Sequence, residues 1–321
     1  MFAVRGILVS FSIFALLYSA LSVSVCCVWR AVWVCGQQRA QRTRADLLFG
    51  MRMLPFVVAA GVTLILAVPS FLLLEPHAAK EATGPMPFVL GTCGIALLVV
   101  GIWNAAAAWV RVSRMIAGWS REATSFCSSP FNSEQSVSVV RTAAIAPPLT
   151  AAGILRQSVW LSRAAELTLS ERELLSALRH EGFHVSRRDN LRKLMMRVVA
   201  FPGMRALESS WREATEMAAD DAAVSSASQA LDLAAALIKL SHLSSLQPPA
   251  ELTTALVHSP AAAVNARVER LLAWKEREQN PAGVLSYAYT LCVATVAMAV
   301  LAVSYSSLLV RIHAATEWLV R

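Results

Sequence analysis

The chain has 321 residues, 56% of them hydrophobic and only 16% charged, with a net charge of +8. Soluble domains carry about 25% charged residues, so this composition excludes an ordinary soluble globular protein. The basic excess borders apolar runs instead of forming a patch of its own, which argues against direct nucleic-acid binding.

The first apolar run, Ile7–Trp29, contains no charged side chain. Arg5 precedes it, as in a cleaved signal peptide. The run is longer than the ~7–15 residues of a signal core, however, and no small-x-small site closes it, so a retained helix is expected. Further uncharged runs follow at Leu54–Leu74, Pro87–Val110 and Leu285–Val310. Each reaches the roughly 20 residues that a helix needs to cross the hydrocarbon core. Such long continuous runs suit helices, not barrel strands, as the means of pairing backbone groups inside a bilayer. The expected fold is a mainly α membrane protein with four transmembrane helices and a polar α+β domain inserted between the third and fourth. The division is 1–110 for a three-helix membrane region, 111–283 for the polar domain, and 284–321 for the last helix and a short tail.

Arginines set the expected orientation. Arg39, Arg42, Arg44 and Arg52 crowd the first connection; Arg111, Arg114 and Arg121 follow the third run. Arg267, Arg270, Lys275 and Arg277 precede the fourth, whereas Glu75–Met86 balances Lys80 with Glu75 and Glu81. Positive charge stays on the cytoplasmic side. The polar domain is therefore expected in the cytoplasm of a multi-pass plasma (inner) membrane protein, with both termini outside. Of the six cysteines, Cys26, Cys27, Cys35, Cys93, Cys127 and Cys292, none makes a C-x-x-C pair. A disulfide framework or cysteine metal site has no support.

Within the polar domain, the Ser-rich stretch Ser120–Ser138 with Pro130 and Asn132 reads as a loop. Ser136–Ile145 and Gly153–Ser162, separated by Pro147-Pro148, read as short strands. Ser170 and Glu173 form an S-x-x-E capping box, which predicts a helix from about Glu171 past His184. Asn190–Met204 is unusually apolar and suggests contact with the membrane surface or re-entry into it. Further helices are predicted from about Glu208 past Val224 and over Gln229–Leu243.

The capped helix carries His180-Glu181-Gly182-Phe183-His184. Positions i and i+4 share a helix face, so both imidazoles can meet one ion, and zinc suits neutral imidazole nitrogens. Glu181 sits at the edge of that face, within reach of a water but not of the ion, as a general base requires. Catalytic zinc usually takes three protein ligands. The following helix offers Glu216, with Asp220 four residues on to orient a histidine; Glu213 is the alternative ligand. His77 and His313 are read as inert and His242 as structural. His258 can be structural or can donate to an oxyanion.

The run His180 to Leu191, H-E-G-F-H-V-S-R-R-D-N-L, resembles that of the BlaR/MecR-type membrane metallopeptidases. Trp211-Arg212-Glu213-Ala214 with Glu216-Met217-Ala218-Ala219-Asp220-Asp221 is similar to that family's third-ligand segment, and Pro148–Ser162 to the approach before its active helix. The resemblance implies a gluzincin fold and one zinc held by His180, His184 and Glu216, with Glu181 as base. Only Arg311–Arg321 follow the last run, so no external penicillin-binding sensor is expected, and a membrane partner would supply sensing. The expected activity is a zinc endopeptidase acting on a protein substrate, a transcriptional repressor or a membrane protein, in signalling. A quality-control or prenyl-protein-type metalloprotease and a non-catalytic zinc-binding signalling protein are the alternatives. The strand Gly153–Ser162 is the expected edge for substrate strand addition.

Overall fold

The structure, a computed structural model, describes residues 2–35, 40–74, 85–132, 135–143, 148–199, 201–244, 254–255, 261–274, 305, 307–311 and 314. The chain divides into two compact units. One comprises Met1–Ala31, Gly50–Val99 and Arg277–Arg321, the other Val32–Phe49 and Val100–Glu276. Most of the fourth apolar run lies outside the described residues, as do His77, His258 and His313.

The first three uncharged runs fold as helices: α1 (Phe2–Cys35), α2 (Gln41–Val62) continuing through a π turn into α3 (Val68–Leu74), and α4 (Pro85–Arg121). Three stretches, Ala3–Ala31, Gln41–Leu74 and Pro85–Arg121, are long and apolar enough to cross a membrane. Their large apolar side chains stay outside: Val57, Leu64, Leu73, Val99 and Trp103 are all exposed. Water would penalise such a surface, whereas lipid tails would not.

Two local devices pack the first unit. Gly91 and Gly94 let α1 and α4 approach closely, since an added Cβ would stand 2.6 Å from the Leu8 carbonyl oxygen and 2.5 Å from that of Phe11. Small residues serve this purpose between membrane helices. The second device is Pro69, which has no amide hydrogen for the Ile65 carbonyl four residues before it. There the helix widens into the π turn Thr63–Ala67. The Tyr305 hydroxyl donates to the Ile65 oxygen at 3.0 Å, and Ser70 Oγ donates to the Leu309 carbonyl at 3.1 Å. A proline in the second apolar run thus creates a docking point for the fourth.

The second unit contains the site. At about 1.5 Å per residue, the 37 residues of α4 are longer than a bilayer core of about 30 Å requires. From Val100 onward the helix belongs to this unit, and Trp119 packs on Trp160 with ring centroids 5.7 Å apart. The boundary expected at residue 110 therefore falls inside a continuous helix. Residues 32–49, read as a connection, join the same unit through Asp46, which accepts from Arg187 and Arg192.

A five-stranded sheet follows in the order β1 (Ala123–Asn132), β2 (Gln135–Thr142), β4 (Ser158–Ser162), β3 (Leu149–Ala152), β5 (Thr254–Ala255). The stretch read as a serine-rich loop is instead the edge strand β1, paired antiparallel with β2 in registers such as Cys127↔Val139. An edge position tolerates its Ser and Pro, and the pairing that stabilises it is non-local. Strand β3 hides behind Pro147-Pro148, which read as punctuation. Gly153, at φ +104, turns the chain from β3 towards β4; a Cβ there would lie 2.2 Å from the Arg156 oxygen. The expected substrate edge does not hold: β4 is flanked by β2 in parallel and β3 antiparallel, so its backbone has no free side.

Helix α5 (Arg163–Thr168) leads to α6 (Glu171–Arg187), where the capping box forms as the spacing predicts: Glu173 N–H donates to Ser170 Oγ and Ser170 N–H to Glu173 Oε2. Then come α7 (Asp189–Val198), α8 (Arg205–Ala223), α9 (Ala227–Ser244) and α10 (Ala261–Leu272). Of the apolar residues of α7, Leu191 and Leu194 pack within the unit against Ala108, Val112 and Ile154, whereas Met195 is exposed. The main core joins Leu149, Val159 and Leu161 of the sheet to Ala177 and Leu178 of α6 and Leu233, Leu237 and Leu240 of α9. Each fully buried leucine contributes about 1.5–3 kcal/mol. This sheet-and-helix sandwich holds the inner face of α6 rigid.

Candidate metal centre

The inner face of α6 is polar in the middle of that core. His180, Glu181 and His184 are buried, with at most 1% of their surface exposed. Groups so polar are buried only when partners compensate for lost water, and every neighbouring element supplies one. The two imidazoles meet through their Nε2 atoms, 3.2 Å apart. Glu216 reaches in from α8, with Oε2 3.4 Å from His180 Nε2 and Oε1 3.7 Å from His184 Nε2. These three side chains are close enough to hold a metal ion. Glu213, the alternative third ligand, is exposed and outside this group.

The outer nitrogens of both rings face carboxylates. Asp220 Oδ1 lies 3.0 Å from His180 Nδ1. Asp189 Oδ2 lies 2.8 Å from His184 Nδ1. The Asp189 contact turns Nε2 of His184 to the common centre, and Asp220 faces the outer nitrogen of His180 as an ion-pair partner. Asp189 reaches back because Arg188 breaks α6 in a left-handed conformation, φ 54 and ψ 44. A straight helix would carry position i+5 off the histidine face.

Glu181 sits beside this cluster. Its Oε2 accepts the Ala151 N–H of β3 at 2.8 Å, while Oε1 is buried with no hydrogen-bond partner. Asn190 fixes the same strand, donating from Nδ2 to the Ala151 and Gly153 carbonyls at 3.0 and 3.1 Å. The carboxyl is thus anchored by one oxygen and available by the other. Burial lifts its pKa to about 7, against the lowering pull of His184 and His180.

Arg267 of α10, which the sequence marks only as a topological charge, completes the arrangement. It is 3% exposed, donates from Nε to Asp220 Oδ2 at 2.8 Å and from Nη2 to Oδ1 at 2.6 Å, and brings Nη1 to 3.0 Å from Glu216 Oε2. Burial raises the Glu216 pKa, but Arg267 and the histidines outweigh it and hold it at about 2. Asp220 is likewise held below the usual carboxylate range: burial opposes ionisation, and Arg267 overcomes it. His180 moves the other way. Burial lowers its pKa, yet Asp220 and Glu216 push it up to about 9.

Asp189, Asn190 and Arg267 therefore support the centre without having been assigned a role from sequence. Asp189 and Asn190 stood in the R-R-D-N run, where only a kink at Arg188 could have signalled an inward turn. Arg267 carried no local signal. Compared with models of known protein families and with curated proteins, the chain matches none.

Proposed function

We propose that this chain is a membrane zinc endopeptidase of the BlaR/MecR type that cuts a cytoplasmic or membrane-proximal protein. The observation that carries the reading is the convergence of His180, His184 and Glu216 beside a buried carboxylate, Glu181, with one free oxygen. Donors at about 2.0–2.1 Å from one tetrahedral ion stand about 3.3 Å apart. The separations here are 3.2, 3.4 and 3.7 Å, and two nitrogens with one oxygen form a donor set typical of catalytic zinc. The Asp189 and Asn190 contacts give the R-R-D-N run a structural purpose and support the family reading.

When bound, zinc supplies Lewis acidity towards a carbonyl oxygen and acidifies a water. The chain's own residues do the rest. Glu181 Oε1 takes a proton from the attacking water and returns it to the leaving amine nitrogen, while Ala151 N–H keeps the carboxyl in place. A pKa near 7 suits both directions of that transfer. Asp220 and Asp189 hold the histidines in one tautomer, and the surrounding core excludes bulk water.

The test uses the purified full chain in lipid nanodiscs with an unstructured protein as substrate. Cleavage should stop when a chelator removes the metal and return on adding about one equivalent of zinc. Hydrolysis that persists in metal-free protein would overturn the reading.

The same proposal places the site in the cytoplasm, on the arginine asymmetry. Reporters fused after Pro130 or Ala250 should read cytoplasmic, and one fused after Lys80 external. The reverse pattern would remove cytoplasmic proteins from the candidate substrates.

A further inference from the structure

Helix α10 turns two arginines, three residues apart, towards α8. Arg270 reaches Asp221 and the Met217 carbonyl and remains partly exposed. Arg267 goes deeper, to two carboxylates at once. Its planar guanidinium uses two edges: one forks onto both oxygens of Asp220, and Nη1 meets Glu216 Oε2. Asp220 lies four residues after Glu216 on the same face of α8. Without a cation between them, two anions would be buried side by side, and the Glu216 carboxylate would be free to rotate away.

Resting on the metal-centre reading, we infer that Arg267 is a positioning residue. It holds Glu216 in the orientation that completes the metal site and couples that carboxylate to the Asp220–His180 pair. Three features support the assignment. The fork fixes the plane of Asp220, and through it the ring of His180. Nη1 forms an ion pair with Glu216 Oε2, the oxygen that also faces His180 Nε2. Finally, Arg267 is nine-tenths or more buried, so its charge acts in a medium of low polarity, where a paired cation counts for more than at the surface. Lysine cannot replace it, because an ammonium has no planar fork to meet two carboxylates together.

The experiment is cobalt titration of the full chain in detergent, read by competition with a chromophoric chelator and by the visible spectrum of the bound ion. Removing an outer partner of a metal ligand typically costs 10–100-fold in affinity. Arg267→Ala should show a loss of about that size together with an altered cobalt spectrum, which reports ligand geometry directly. Arg267→Lys retains a cation and keeps the fold testable should Arg267→Ala fail to fold; it too should bind more weakly and with a changed spectrum. Arg270→Ala removes the neighbouring latch without touching Glu216 and should bind like the parent. Parental affinity and spectrum in a folded Arg267→Lys would overturn the role of Arg267. So would an equal loss in Arg270→Ala, which would assign the effect to helix docking. A parent chain that binds no cobalt would instead defeat the underlying metal-centre reading.

Discussion

Replacing Glu181 with glutamine should abolish measurable hydrolysis while leaving bound metal at the parental level. The isosteric amide can keep the Ala151 N–H contact through its oxygen, so β3 and α6 stay in register. What it loses is the capacity to take and return a proton. General acid–base catalysis contributes about 10²–10⁴-fold, and a fall of at least that size is expected. Two measurements check this: metal content by elemental analysis, and mapping of new protein N-termini in cells carrying either form. Termini that appear equally with parent and Glu181→Gln would show that the cleavage does not pass through this carboxylate. Loss of metal in the variant would make Glu181 a structural element of the site and not its base.

Alanine at His180, His184 or Glu216 should empty the site, each change removing one of three ligands. Two-ligand sites hold zinc far more weakly than three-ligand ones, so near-stoichiometric metal should fall to traces after dialysis. Alanine at the exposed Glu213 should have no such effect; if Glu213→Ala loses metal and Glu216→Ala does not, the ligand assignment is wrong. Acidity acts on the same equilibrium. In the metal-free protein His180 keeps its proton up to about pH 9 because Asp220 and Glu216 outweigh the burial penalty. A ligand must lose that proton to bind. Apparent affinity should therefore rise with pH, by close to tenfold per unit for one displaced proton, and level off near pH 9. A competition titration between about pH 6 and 9 reads the slope directly. Affinity flat across that window would mean that His180 is already neutral and that the carboxylates do not act on it as their distances imply.

The sequence by itself determined much of this protein. Uncharged runs of bilayer length specify helices because no other element pairs its own backbone in lipid. Ser170 and Glu173 locate the start of α6 to the residue, because capping is a local hydrogen-bond pattern. The i, i+4 spacing puts His180 and His184 on one face through helix geometry alone. The tertiary structure decided everything that joins distant parts of the chain. Serines of β1 form a strand only because β2 lies beside them, and β4 loses its free edge only because β3 folds back on it. Selection between Glu213 and Glu216, only about 60° apart around α8, depends on how α8 packs against α6, which brings Glu216 to the histidines and leaves Glu213 exposed. Asp189 becomes the partner of His184 through a left-handed turn at Arg188, a conformation that an arginine does not announce. Arg267 shows the limit most clearly: beside an apolar run an arginine reads as a topological charge. Only the packing of α10 on α8, which brings Arg267 to Asp220 forty-seven positions away, turns that charge into the counter-ion of two buried carboxylates.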